Sequence, residues 1–169
     1  MLLIIKKGLF AWYVLDQNKK TVATIRSRRF FGLEKSIADS GGRAVYTTDA
    51  GTEPGTGERI YRLREKEKTL VTAWLIPEKT PEKAQVPPFP LPRAAGLRLE
   101  TPYGLWSLKR ERGNEIVICQ NERQIGAISP FNRLGKQRLE LCGSYGAAFA
   151  AGLYVLADYM THEDDVMAV

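Results

Sequence analysis

The chain has 169 residues, 44% of them hydrophobic and 26% charged, with a formal net charge of +6. These proportions are those of a single globular domain that buries about two thirds of its unfolded surface. Two distant cysteines, Cys119 and Cys142, and one histidine, His162, exclude a disulfide framework and a multi-histidine metal centre. Reduced thiols and a cytoplasmic setting are therefore expected.

The opening "MLLIIKKGLF" places its apolar residues before its lysines, the reverse of a signal peptide, and reads as a first strand. "LFAWYVLD" and "TVATIRS" then flank a polar "QNKK" turn as a hairpin. Residues 31–39, "FGLEKSIAD", fit either a short helix or a strand. "RAVYTTD" and "RIYRLRE" surround a glycine-rich loop, and "RIYRLRE" and "TLVTAWLI" flank the charged turn "KEK". Further strands follow in "GLRLET", "LWSLKRE", "EIVICQ", "RQIGAIS" and "RLELCG". Repeated strands about 8–12 residues apart predict a sandwich or a barrel. Val14–Ile25 and Val117–Ile128 align without gaps, as hairpins of one type built around "QN". Residues 77–95 carry six of the nine prolines and so cannot be sheet interior. They are read as a surface linker between two sets of strands in one domain, 1–169.

The last strong signal is "SYGAAFAAGLYVLADYMTHEDD". Its uncharged run from Tyr145 to Ala157 is too short to span a bilayer, which takes about 20 apolar residues. Ser144 is placed to cap a helix, and Phe149, Leu153, Leu156 and Met160 share one helical face. Alanine, glycine, tyrosine and valine cover the other faces, so the helix needs burial all round. The only protein available to surround it is β-sheet.

In these features the chain resembles the tubby C-terminal-like superfamily, which includes phospholipid scramblases and LURP-one-related proteins. "FAAGLYVLADYMTHED" is similar to the terminal helix of that superfamily, and "WYVLDQNKKTVATI" to its strand–turn–strand units. The resemblance implies a mainly β fold, a closed antiparallel barrel of about twelve strands around a buried hydrophobic C-terminal helix. The competing folds are a β-sandwich with a packed helix and a lipocalin-like barrel with its helix outside.

Catalytic signals are sparse. There is no G-x-S-x-G elbow, and "AGTEPGTGERI" is no phosphate loop. An enzyme is not expected, and neither are a cofactor, a metal or a nucleic-acid partner. His162 is read as a cation at the negative end of the helix dipole, and His162–Asp165 as an acidic tail rather than a calcium loop. The basic residues are the functional lead, because residues 1–47 carry nine basic and three acidic side chains. Arg26, Arg28, Arg29, Arg43, Lys109 and Arg110 are the candidate ligands for an anion, with Lys6, Lys7 and Arg112 as further candidates. "IRSRRFF" puts Arg26 and Arg28 on one strand face and Arg29 on the other, beside Phe30 and Phe31. The resemblance adds anionic phospholipid headgroups as a ligand class. The expected function is a non-enzymatic binding module for such headgroups or another phosphate-bearing ligand, at times peripheral on the inner membrane surface. The alternative is a protein-interaction or scaffold domain using the loops and the proline-rich linker.

Overall fold

Apolar and polar residues alternate along nearly every strand, and this alternation sets the architecture. The structure is a computed structural model that describes residues 1–28, 34–77, 94–111, 115–131 and 135–166, with side chains described as far as Thr161. The first six strands are β1 (Leu2–Lys7), β2 (Trp12–Leu15), β3 (Thr21–Ser27), β4 (Lys35–Asp39), β5 (Ala44–Thr52) and β6 (Arg59–Glu65). β7 (Lys68–Pro77), β8 (Ala94–Thr101), β9 (Gly104–Glu111), β10 (Glu115–Gln120), β11 (Arg123–Ser129) and β12 (Lys136–Leu141) complete the set. Each strand pairs antiparallel with its neighbours in sequence, and β12 closes on β1 to give a twelve-stranded barrel.

Twelve strands enclose more space than side chains alone can fill, since about eight already make a filled barrel. The remaining space takes a helix some 10 Å across. That helix is α1 (Ala147–Val166), and every residue from Phe149 to Met160 is buried. Leu63, Leu97, Leu99, Leu108, Ile118 and Leu139 face it from the wall, all fully buried. Gly152 admits Leu63 onto the helix backbone, because a Cβ there would lie 2.7 Å from Leu63 Cδ2. No described helix is long and apolar enough to cross a membrane.

α1 enters at the end of the barrel holding the β2–β3, β4–β5 and β8–β9 turns, and its C-terminal half reaches the opposite end. We call these the entry and exit ends. At the entry end Tyr103, Trp106, Tyr145 and Phe149 pack ring to ring, with centroids 5.0 Å apart for Tyr103–Tyr145 and 5.2 Å for Trp106–Tyr145. Further along the helix, Tyr154 donates its hydroxyl to Gln137 Oε1 at 2.7 Å, and the Tyr159 and Thr48 hydroxyls share a hydrogen bond of 2.6 Å. Burial pushes both phenols far above the usual tyrosine range, and the nearby Asp158 carboxylate adds to the rise. Their folded pKa values are raised, so the stability they confer is complete below about pH 10 and falls above it as the unfolded chain ionises. Alkaline titration followed by phenolate absorbance should show a late step that coincides with loss of near-ultraviolet circular dichroism. Tyr154→Phe/Tyr159→Phe should shrink that step, whereas an unchanged late amplitude would assign it to other tyrosines.

One open reading is settled and three change. Residues 35–39 form a strand, with Ile37 at its buried centre. Ser144 does not cap α1. Gly146 precedes the first helical residue, and its carbonyl accepts the first helical bond, from Ala150 N–H. The two similar hairpins share only their second strands: Ala23 and Gly126 both face inward, as do Ile25 and Ile128. Their first strands are offset by one residue, since Val14 pairs with Ala23 but Ile118 pairs with Gly126. A longer turn separates β2 from β3, and each hairpin carries a bulge at a different place. Finally, Leu9 and Phe10 belong to no strand. They stand at the tip of the turn between β1 and β2. Residues 78–93 of the proline-rich stretch lie outside the described residues.

Candidate functional site

The exit end carries two groups of charge, one inside the barrel and one outside. Alternation along β1 explains both: Leu3, Ile5 and Lys7 point inward, and Leu2, Ile4 and Lys6 point outward. Lys7 is therefore a lysine in the lumen. Its Nζ donates to Asp158 Oδ1 of α1 at 2.6 Å, with both side chains about nine-tenths buried. The same ammonium lies 4.6 Å from the Trp12 ring centre and 5.6 Å from that of Tyr154. Lys35 of β4 also approaches Trp12, at 5.2 Å, and its Nζ donates to Ser27 Oγ at 2.9 Å. Burial lowers the Lys35 pKa, the Asp158 carboxylate works against this, and the Lys7 charge adds to it. Asp158 thus answers two ammonium groups. This explains the one charge that interrupts the apolar helix, and it fixes the depth of α1 in the barrel.

The outer group is built from four neighbouring strands, β12, β1, β2 and β3. Lys6 sits directly across from Lys136 in the β1–β12 register, and both are exposed. Tyr13 is the partner of Lys6 on β2 and is 43% exposed. Arg26, exposed at the exit end of β3, lies one position beyond the Trp12–Ile25 pair. Among the described residues Lys6, Arg26 and Lys136 have no carboxylate partner, although other basic residues do. Like charges directly opposite each other on a sheet are destabilising. Lys6 and Lys136 are placed opposite each other in this way.

Between these cations projects the β1–β2 turn. Gly8 N–H donates to Ala11 O at 3.0 Å, closing a loop whose two central residues are Leu9 and Phe10. A Cβ on Gly8 would lie 2.8 Å from Ala11 O, so this tight closure calls for glycine. Leu9 is 91% exposed and Phe10 83%, the highest values among the large hydrophobic residues described.

The remaining candidates are scattered. Arg28 lies just beyond β3 at the exit end, 3.7 Å from Glu34. Arg43 is in the β4–β5 turn at the entry end, 3.4 Å from Asp39. Lys109 and Arg110 are exposed on β9 at the exit end, four strands round from β1, or roughly 19 Å at the usual strand spacing. Arg29, Phe30, Phe31 and Arg112 fall outside the described residues, as do the side chains of His162–Asp165. Other arginines serve the wall: Arg62 and Arg64 flank Asp49, and Arg98 lies 4.8 Å from the Trp74 ring centre. A groove of about 250 Å³ between Arg28, Arg64, Lys66, Glu34, Asp49 and Glu67 holds equal numbers of cations and carboxylates. It therefore offers an anion no net attraction.

No described group of His, Cys, Asp and Glu side chains could hold a metal ion. The sequence reading found Arg26 and Lys6 but missed Lys136 and the Leu9–Phe10 tip. The signal for the tip was "KKGLFA", where a glycine follows two lysines between two apolar runs. Comparison with protein-family models, with curated proteins and with solved structures found no match to the chain.

Proposed function

We propose that the chain is a non-enzymatic binding module for a phosphate-bearing anion, phospholipid headgroups included, held by Lys6, Arg26 and Lys136. The observation that carries this reading is the directly opposed Lys6–Lys136 pair, which has no carboxylate partner among the described residues. A phosphate between the two ammonium groups would relieve their repulsion, and the Arg26 guanidinium offers two parallel donors to phosphate oxygens. Membership of the tubby C-terminal-like superfamily is part of the same proposal, supported by the ring of twelve strands closed around a C-terminal helix. Cys119 and Cys142, neither in a disulfide, fit the reducing cytoplasmic setting proposed with it.

Each cation near an anionic surface contributes about 1 kcal/mol, close to fivefold in affinity. Lys6→Gln/Arg26→Gln/Lys136→Gln should then weaken binding to anionic vesicles by on the order of 100-fold at low salt. Binding by the unaltered chain should also fall steeply as salt rises. No preference for anionic over neutral lipid in co-sedimentation at low salt, together with no binding of inorganic pyrophosphate, would sink the proposal.

A further inference from the structure

The basic rim and the exposed tip occupy the same four strands, and each leads to a different expectation. Cations alone fit any phosphate, free in solution or on a surface. A pair of bare apolar side chains gains nothing from a free phosphate. Single exposed hydrophobic residues are ordinary, so neither Leu9 nor Phe10 would carry weight alone. Here two adjacent ones stand at the extreme of a tight turn. Lys6 and Lys136 flank the turn on one side and Arg26 on the other, with the half-exposed Tyr13 at its base. An apolar point, an amphipathic tyrosine and a collar of cations are ordered as the acyl region, interface and headgroups of an anionic leaflet are ordered.

Resting on the proposed anion binding, we infer that the partner is an anionic bilayer, which the barrel meets exit end first, with Leu9 and Phe10 inserted between headgroups and Lys6, Arg26 and Lys136 on the phosphates. The tip is convex and only two residues long, so it suits a fluid surface better than a preformed protein pocket. The other exposed apolar pair, Tyr103 and Leu105, stands at the entry end. Glu100 is the cross-strand partner of Leu105, and its neighbour Asn121 precedes Glu122 in the β10–β11 turn. That patch has carboxylates beside it and does not fit an anionic leaflet. The exposed apolar pair, the tyrosine and unpaired cations come together at the β1–β2 turn.

The test uses the full chain with phosphatidylcholine vesicles, with or without phosphatidylserine, and inorganic pyrophosphate as a free anion. Phe10→Trp should give a blue-shifted emission, measured as the difference from the unaltered chain, only with phosphatidylserine present. Brominated acyl chains should quench that emission. Leu9→Ser/Phe10→Ser should lower affinity for the anionic vesicles by about tenfold or more and leave pyrophosphate binding unchanged. Both side chains are in solvent, so neither variant disturbs the core. Unaltered vesicle affinity in the serine variant, or an unshifted Phe10→Trp emission on bound vesicles, would overturn the insertion. Loss of self-association or of a protein partner in the serine variant, with vesicle binding intact, would overturn it too. The Lys6, Arg26 and Lys136 variants report on anion binding separately, so that reading survives or fails independently of the tip.

Discussion

A chain ending at Gly143 is expected to show no cooperative unfolding transition and to bind hydrophobic dye, whereas the full chain should unfold in one step. The wall of the barrel is complete in such a truncation, yet nothing fills it. Phe149, Leu153, Tyr154, Val155, Leu156 and Met160 are each at most 3% exposed. Burying a side chain of this kind stabilises by about 1.5–3 kcal/mol. Six of them together contribute roughly 10 kcal/mol or more, which rivals the whole stability of a typical domain. The wall loses as much again, because Leu63, Leu97, Leu108 and Leu139 would face an empty lumen. A truncated chain with a sharp thermal transition and native near-ultraviolet circular dichroism would show that the barrel stands without its helix.

Asp158→Leu should cost about 3–5 kcal/mol of unfolding free energy in denaturant titration, the range for removing one partner of a buried ion pair. The loss is not chiefly the ion pair itself. It is the stranding of Lys7, with only 9% of its side chain exposed, beside the partly buried Lys35. Lys7→Met is milder, because Lys35 remains as a counter-charge for Asp158. Combining the two as Lys7→Met/Asp158→Leu recovers part of the loss, since the more deeply buried ammonium is gone and only Lys35, which still donates to Ser27, is left without the Asp158 carboxylate. Equal costs for the two single variants, or additive costs in the double, would mean that the three charges do not act as one group.

The two substitutions separate what the sequence could reveal from what it could not. The helix was legible because it lacks a polar face, and a helix without one has to be surrounded. The strands were legible because their side chains alternate, and the barrel follows once many strands and one buried helix share a chain. Position along the alternation was harder to read. Lys6 and Lys7 are neighbours with identical chemistry, yet one faces solvent and the other lies in the lumen. Only the register of β1 against β12 and β2 decides which. Leu9 and Phe10 misled for the same reason: two apolar residues beside a strand read as strand, and the Gly8–Ala11 closure that turns them outward is a property of backbone geometry. The site was less legible than the fold because it is assembled across strands. Lys136 and Lys6 are far apart in sequence, and no spacing along the chain announces their pairing.

Closure of the barrel by β1 and β12, with α1 packed inside, also sets the order of events during synthesis. β1 leaves the ribosome early but has no partner for its outer edge until β12 emerges, and the element that fills the lumen follows β12. At about 5–20 residues per second, several seconds of synthesis pass before any sheet formed by β1–β11 can close. Its two edge strands are unpaired for that time. Closure thus waits on a late step, in which α1, which follows β12, seats itself and β1 and β12 zip together around it. Crowding on polysomes and chaperone occupancy should weigh on the yield of this protein more than its final stability does.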